Sequence, residues 1–335
     1  MIQFIEALRA IATVLIANSH FKGVYPTDLL SFGGGFGLAL FYMISGFLLA
    51  NIKPSTKLTS WYFKKVARLY IPLIILKTIE VMVGYLRIAT ADQFIRAFIF
   101  PASWFGASML ILYLLYYMVI KKMYLKKGIR VVGLIHIIDL VLFLLLFVTK
   151  IDIGIFSLET LAVADTFSIE TPYIISLPIW MSSMLVGFEL RKVYDASEKP
   201  VKDRPEWLYG AGIVIAMIAF FTVKICEKRG VGSTLMIVLP IIYIGFACTL
   251  FRFLMTKEKK LKAIPNNIWK KMVGTISACS LEIYYIQFPW INLFRKNVFP
   301  INWVLIVAVT LISAYLLHFV SDRVFYVLVK KKAGE

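Results

Sequence analysis

The chain has 335 residues, of which 60% are hydrophobic, and its mean hydropathy is +0.81, whereas soluble domains are about 45–50% apolar. Lys and Arg outnumber Asp and Glu by 37 to 19, but no basic stretch is long enough to form a separate nucleic-acid-binding domain. Composition therefore excludes an ordinary soluble protein, argues against nucleic acid as a partner, and favours a protein embedded in the lipid bilayer.

The apolar residues are concentrated in runs of about 17–25 residues, the length that a helix needs to cross the roughly 30 Å hydrocarbon core. The expected fold is an all-α polytopic transmembrane bundle of about ten helices. In chain order, the helices are predicted at 4–22, 33–51, 69–87, 104–120, 131–149, 172–190, 207–224, 234–252, 272–294 and 301–328.

Basic residues are distributed unevenly between alternate connections of this bundle. The connections at 52–68, 121–130, 191–206 and 252–271, together with the C-terminal tail, hold 25 Lys and Arg residues, whereas the other connections hold 9. Because basic loops stay in the cytoplasm, both termini are predicted to be cytoplasmic. Glu6 and Arg9 interrupt the N-terminal apolar run, so a cleaved signal peptide is not expected.

Metal-ligand patterns are missing from the sequence. The three cysteines, Cys226, Cys248 and Cys279, lie in apolar runs without C-x-x-C spacing and are interpreted as small buried hydrophobic residues. With only three histidines, no metal site is predicted. No internal repeat is visible, and this gives no support to a transporter built from inverted repeats.

The first predicted helix contains two ionisable residues, Arg9 and His20. They are eleven residues apart, almost three full turns, so both project from one face with an axial separation of about 16 Å. An ionisable side chain inside the membrane suggests function, and imidazole suits general-base work near neutral pH. The alternative is that Arg9 reaches the lipid headgroups and His20 lies at the outer interface.

The second predicted helix follows the glycine-rich run 33–37 and contains Ser45. No strand precedes the glycines, so they do not form a dinucleotide-binding loop; close helix packing is the expected reason for them. Ser45 is a candidate hydrogen-bond donor in a cavity, and its alternative role is a bond to its own helix backbone.

The third predicted helix is preceded by Lys65 and Arg68, which are three residues apart and share one helix face. Cations at this position can bind phosphate groups. Their alternative role is to anchor the helix at the cytoplasmic boundary.

Together these segments resemble the membrane-bound acyltransferase family 3. The resemblance rests on Arg9-x10-His20, on Phe-x-x-x-Ser45-Gly-Phe and on Lys65-x-x-Arg68-x-x-x-Pro72, which occur in the order seen in that family. The stretches at 103–105 (Ser-Trp-Phe) and 280–287 (Ser-Leu-Glu-Ile-Tyr-Tyr-Ile-Gln) look like it as well. The family often has Arg where Lys65 stands, His at Ser103 and Gln287, and Glu near Asp322, so His20 is the only candidate base of this chemistry.

The resemblance implies transfer of an acyl group, usually acetyl, from cytoplasmic acetyl-CoA to a hydroxyl of a saccharide or lipid-linked saccharide. Lys65, Arg68 and Arg9 would hold the phosphates of coenzyme A, and the pantetheine arm would follow the Arg9–His20 face. His20 would act as base or as acyl carrier. Candidate oxyanion donors and substrate residues are Ser45, Trp104, Glu282, Tyr285 and Gln287.

The chain is also similar to the stand-alone form of the family, a single transmembrane acyltransferase domain over 1–335 without an appended soluble domain. That form is associated with surface polysaccharides of bacteria, so the bacterial cytoplasmic membrane is the expected location.

Two alternatives stay open: a transporter or flippase without acyl-transfer chemistry, for which Glu80, Glu189 and Glu282 would be the mid-membrane acids, and a structural or regulatory membrane protein. Oligomeric state is not predicted.

Overall fold

The computed structural model describes residues 2–53, 55–99, 104–124, 129–149, 176–196, 204–229 and 238–330. The structure is 84% helical, and the described residues form no β-strand. The predicted all-α fold is therefore confirmed. The acidic connection predicted at about 150–171 lies outside the described residues.

The described helices are, in chain order, α1 (Gln3–Ser19), α2 (Gly34–Leu49), α3 (Leu58–Met82), α4 (Ala91–Phe94), α5 (Trp104–Tyr117), α6 (Ile129–Thr149), α7 (Leu177–Ala196), α8 (Glu206–Lys228), α9 (Leu239–Thr256), α10 (Glu258–Ala263), α11 (Ile268–Ala278), α12 (Ser280–Phe294) and α13 (Ile301–Phe325). Short π-helical segments continue α4, α5 and α13.

Four helical segments are long and apolar enough to cross a membrane: Asp28–Leu49, Glu206–Cys226, Leu239–Thr256 and Ile301–Val329. The helix within Phe105–Lys121 is apolar but shorter. Side chains on the outer faces of α8 and α13, such as Ile215 and Ile312, are more than half exposed although they are apolar, as expected of surfaces that contact lipid. The count of ten spans and the cytoplasmic location of both termini remain predictions.

The third and ninth predicted helices differ most from the structure. The third begins at Leu58 instead of 69 and so includes the basic stretch. In its first turn, Trp61 packs its ring against that of Tyr117, with the ring centroids 5.2 Å apart. The ninth predicted helix is divided into α11 and α12 at Cys279, whose ψ of 13° leaves the helical range. Hydropathy detects only apolar stretches. It therefore misses the polar first turns of the third helix and the local break at Cys279.

The centre of the molecule is formed by α2, which packs mainly against α7 and α1. Gly46 on α2 and Gly187 on α7 permit this approach: a Cβ on Gly46 would stand 1.9 Å from the Met184 carbonyl oxygen, and a Cβ on Gly187 would stand 1.9 Å from that of Met43. The glycine run at the start of α2 also serves packing, since a Cβ on Gly37 would be 2.7 Å from the Ala12 carbonyl oxygen. The predicted packing role of that run is confirmed.

Helix α1 is fixed at its N-terminus by a distant side chain. Glu258 of α10, which is buried, accepts hydrogen bonds from the backbone N–H groups of Gln3 at 3.2 Å and Phe4 at 2.8 Å. A carboxylate at this position satisfies two of the free N–H groups and complements the helix dipole. Since α1 also contacts α2, α11 and α12, the face that carries Arg9 and His20 is directed at neighbouring helices.

Candidate functional site

Three cationic side chains come together at the N-terminal end of α1. Arg9 lies within electrostatic range of both Arg68 and Lys65, which project from the first half of α3. Arg68 forms a salt bridge to Asp322 of α13 at 2.7 Å, and Lys65 lies over the ring of Trp61, 5.8 Å from its centroid. We call Arg9, Lys65 and Arg68 the cation cluster.

The three positive charges of the cation cluster are only partly compensated by nearby carboxylates. Among the described residues, Arg9 and Lys65 form no salt bridge to a carboxylate, and Glu6 contributes only a weaker attraction to Arg9. Arg68 forms a salt bridge with Asp322, but both of these side chains are substantially exposed, at 44% and 60%. Three cations with one direct carboxylate partner repel each other, and a bound polyanion would relieve that repulsion.

Two tyrosine side chains lie beside the cation cluster. Tyr113 of α5 interacts electrostatically with Arg9 and lies near the Ser45 hydroxyl of α2. Tyr285 of α12 is buried, lies within electrostatic range of Tyr113, and donates to the Leu69 carbonyl oxygen at 3.4 Å. Sequence reasoning missed Tyr113, which lies in an apolar run with several other tyrosines and belongs to none of the recognised motifs.

Ser45 makes the bond to its own helix backbone that was the alternative to a donor role in a cavity. Its hydroxyl donates to the Phe41 carbonyl oxygen at 2.9 Å, which is the local bond expected of a serine in a helix. The same hydroxyl lies near Tyr113, which interacts with Arg9. Ser45 therefore belongs to the Arg9 end of the site and not to the His20 end.

His20 lies at the C-terminal end of α1, where it is the C-cap residue directly after Ser19. Its ring makes edge-to-face contacts with Phe288 at 4.9 Å and Tyr284 at 6.0 Å, both from α12. The structure thus places Tyr284, and not the predicted Tyr285, beside the imidazole. Trp104 begins α5, but its side chain and Ser103 lie outside the described part of the structure; the next residue, Phe105, packs against Tyr284 at 5.0 Å.

A narrow cavity of about 10 Å³ lies along α1 between the cation cluster and His20. It is bounded by Thr13, Ile16 and Ala17 of α1, by Phe41 of α2, by Phe105 of α5 and by Ser280, Leu281, Ile283 and Tyr284. This volume is close to the minimum that accommodates one water molecule. A chain as wide as pantetheine would pass only if side chains such as Phe105 and Tyr284 changed rotamer.

Glu282 is paired inside the protein. It is 2% exposed, and its Oε1 lies 3.0 Å from Nδ1 of His318 on α13, whereas its Oε2 has no partner in the described part of the chain. His318 is one helical turn from Asp322, the partner of Arg68. Sequence reasoning missed His318, although its spacing of four residues from Asp322 places both on one face of α13.

Gln287, the remaining predicted site residue, is fully buried on α12, one position before Phe288. Its Nε2 donates to the Tyr284 carbonyl oxygen at 3.2 Å, and its Oε1 has no partner among the described residues. The structure therefore brings the predicted residues together in two groups. Arg9, Lys65, Arg68, Ser45 and Tyr285 form one, and His20 lies beside the segment that carries Gln287.

The fold and these two groups define a helical membrane protein with an anion-attracting end and an imidazole almost three turns away on the same helix. A family model described as an acyltransferase domain matches residues 2–320, nearly the whole chain. The chain belongs to acyltransferase family 3, and it is accordingly a membrane acyltransferase. No curated protein and no solved structure matches it significantly.

Proposed function

We propose that the protein is an O-acyltransferase of the bacterial cytoplasmic membrane that moves acetyl from cytoplasmic acetyl-CoA to a hydroxyl of a surface or lipid-linked saccharide. The observation that carries this proposal is the cation cluster, with its unmatched positive charge, on the same face of α1 as His20. Phosphates of coenzyme A are polyanionic and match such a cluster. The basic connections predict that this end lies in the cytoplasm, and that prediction agrees with where the donor is made.

In the direct form of the reaction, His20 accepts the proton of the acceptor hydroxyl as its oxygen attacks the thioester carbonyl carbon. The tetrahedral intermediate collapses, the carbon–sulfur bond breaks, and the coenzyme A thiolate leaves and takes up a proton. In the covalent form, a His20 ring nitrogen attacks the thioester carbonyl carbon first, and the carbon–sulfur bond breaks as the thiolate leaves. The acceptor hydroxyl then attacks the acetyl-imidazole, the carbon–nitrogen bond breaks, and the hydroxyl proton goes to the released imidazole. Both forms give the same ester, and both require the thioester to reach His20.

Hydrogen-bond donors for the oxyanion are proposed at the His20 end of the path. The Tyr284 hydroxyl belongs to the residue whose ring contacts His20, and Gln287 Nε2 lies on the same helix. Ser45 and Tyr285 lie at the Arg9 end, where Ser45 is near Tyr113 and Tyr285 donates to the Leu69 carbonyl oxygen. They are therefore better placed to orient the donor than to stabilise charge beside His20.

The test is turnover by purified protein in vesicles that receive labelled acetyl-CoA and a lipid-linked oligosaccharide. The wild type is expected to label the oligosaccharide, and His20→Ala is expected to abolish labelling. His136→Ala is the matched control, because His136 pairs with Glu189 at 3.5 Å on α6 and α7. Full activity of His20→Ala would refute the role of His20. Movement of the oligosaccharide across the vesicle without acylation would favour a transporter instead.

A further inference from the structure

A second cavity, of about 170 Å³, lies beside the first one, between α1, α11, α12 and α13. It is about seventeen times larger than the passage between the cation cluster and His20, and its walls are mostly apolar. The walls consist of Thr13, Val14, Ala17, Asn18, Phe21, Ile276, Ile283, Gln287, Trp303, Val307, Thr310 and Leu311. We call it the lateral cavity.

Two buried polar atoms of the lateral cavity have no partner among the described residues. They are Oε1 of Gln287, which is 0% exposed, and Oγ1 of Thr310, which is 5% exposed. The other polar wall residues are satisfied: Thr13 donates to the Arg9 carbonyl oxygen, and Asn18 bonds Tyr25 and two backbone carbonyls. A buried polar atom without a partner is destabilising, so these two atoms indicate a polar group of a ligand.

The identity of these atoms restricts that polar group. Gln287 donates one Nε2 hydrogen to the Tyr284 carbonyl oxygen and leaves its Oε1 as an acceptor, and a hydroxyl such as that of Thr310 can both donate and accept. Among the described residues, no Lys or Arg side chain lines the cavity. The pair thus suits a neutral group that carries a hydroxyl and does not suit a phosphate, which has acceptors and negative charge.

The lateral cavity faces the lipid side of the molecule. Val14 of α1 is 54% exposed, and Trp303 and Leu311, which lie in the membrane-spanning segment Ile301–Val329, are each 36% exposed, although all three wall residues are apolar. An apolar opening toward the bilayer admits a hydrocarbon chain directly from the membrane. Cavities near 150 Å³ hold a molecule of about the size of benzene, so the lateral cavity accommodates a short stretch of such a chain.

The same helices connect the lateral cavity with His20. On α12, Gln287 lies between Tyr284 and Phe288, the two residues whose rings contact the imidazole. On α1, Ala17 lines both the lateral cavity and the narrow passage that follows the Arg9–His20 face. A hydroxyl bound at Gln287 is therefore next to the segment that surrounds the candidate base.

We propose that the lateral cavity is the acceptor site and that the acceptor is a neutral amphiphile. Its chain enters from the bilayer, and a hydroxyl close to that chain donates to Gln287 Oε1. This inference rests on the proposed function for the fate of the hydroxyl, which His20 would deprotonate, but the binding of the amphiphile does not depend on catalysis. A phosphate-linked lipid is the competing chemistry.

Photolabelling in phosphatidylcholine vesicles tests the binding. The probe is hexadecanol with a diazirine in its chain; hexadecane with the same diazirine is the comparison, and unlabelled hexadecyl phosphate is the competitor. The alcohol is expected to label α1, α12 and α13 at least tenfold more than the hydrocarbon does. Equal labelling by alcohol and hydrocarbon, or more effective competition by hexadecyl phosphate than by unlabelled hexadecanol, would overturn the proposal.

Three variants locate the probe. Val307→Phe fills the lateral cavity and should reduce labelling at least tenfold, whereas Ile312→Phe, a lipid-facing change on the same helix, should leave it unchanged. Gln287→Leu and Thr310→Val keep the shape of the cavity and should remove the advantage of the alcohol over the hydrocarbon. Thermal unfolding of each variant verifies folding, and unchanged labelling of a folded Val307→Phe would refute the site.

Acetyl transfer separates the two proposals. If the wild type is labelled as expected but acylates no acceptor, the proposed function fails and the lipid site stands. If the enzyme acetylates a water-soluble saccharide and Val307→Phe does so at the same rate, the acceptor site fails and the proposed function stands.

Discussion

Arg9 is central to the proposed binding of acetyl-CoA, because it lies close to the two other cations of the cation cluster. Lys65 contributes a charge without a carboxylate partner among the described residues, whereas Arg68 is already engaged by Asp322. The two basic residues of the Lys65-x-x-Arg68 segment are therefore not equivalent. Lys65 can bind an anion without breaking a salt bridge, whereas Arg68 can bind one only in addition to Asp322 or in its place.

We predict that Lys65→Gln weakens binding of coenzyme A about tenfold or more, since a charge-assisted hydrogen bond contributes about 1.5–3 kcal/mol. Equilibrium binding of labelled coenzyme A to the detergent-solubilised protein measures this effect. The wild-type affinity should also decrease with ionic strength. Lys57→Gln, an exposed lysine at the start of α3, is the control, and an equal loss in both variants would contradict a specific role for Lys65.

The residues predicted from the sequence were those that break the hydropathy of a span or carry a motif, such as Arg9, His20 and Lys65. The sequence did not show which of these side chains lie close together in the folded protein. Tyr113 and His318 join the site through contacts between helices far apart in the chain, and their aromatic or apolar surroundings hide them from a linear pattern. Likewise, Tyr284 and Tyr285 are indistinguishable in sequence, and only helix rotation determines which one faces His20.

Among the helices, α2 and α7 set the position of the whole site, because α1 packs against α2 and carries both Arg9 and His20. The Gly46–Gly187 crossing has no room for an added carbon atom. The sequence indicated apolar helices and a glycine run before α2, but a single glycine within a span does not identify the helix that it contacts. The break at Cys279 was also not predictable from hydropathy, since α11 and α12 form one continuous apolar stretch.

Gly46→Ala is predicted to destabilise the folded protein by about 1–3 kcal/mol or more, the range found for overpacked cores, because its Cβ would meet the Met184 carbonyl oxygen, a backbone atom. Thermal unfolding in detergent measures this change. Gly245→Ala on α9 is the matched control: nothing lies within 4 Å of its added Cβ, so its stability should stay the same or increase slightly. A Gly46→Ala protein as stable as the wild type would contradict the close crossing.

Across the whole molecule, the proposed reaction begins at one end of α1 and finishes at the other, about 16 Å away. The passage between these ends is now about 10 Å³, so donor binding must be accompanied by movement of the aromatic side chains around it. The acceptor would approach by a separate route, through the lateral cavity, which adjoins the narrow cavity along α1. Donor and acceptor then enter from different phases, water and lipid, and meet at His20.

The most direct test of this account is an experimental structure of the protein with coenzyme A bound. The phosphates are expected beside Lys65, Arg68 and Arg9, with the pantetheine arm along α1 past a displaced Phe105 or Tyr284 and its sulfur directed at His20. A structure in which the phosphates bind elsewhere, or in which the sulfur stays on the Arg9 side of Tyr113, would contradict the account.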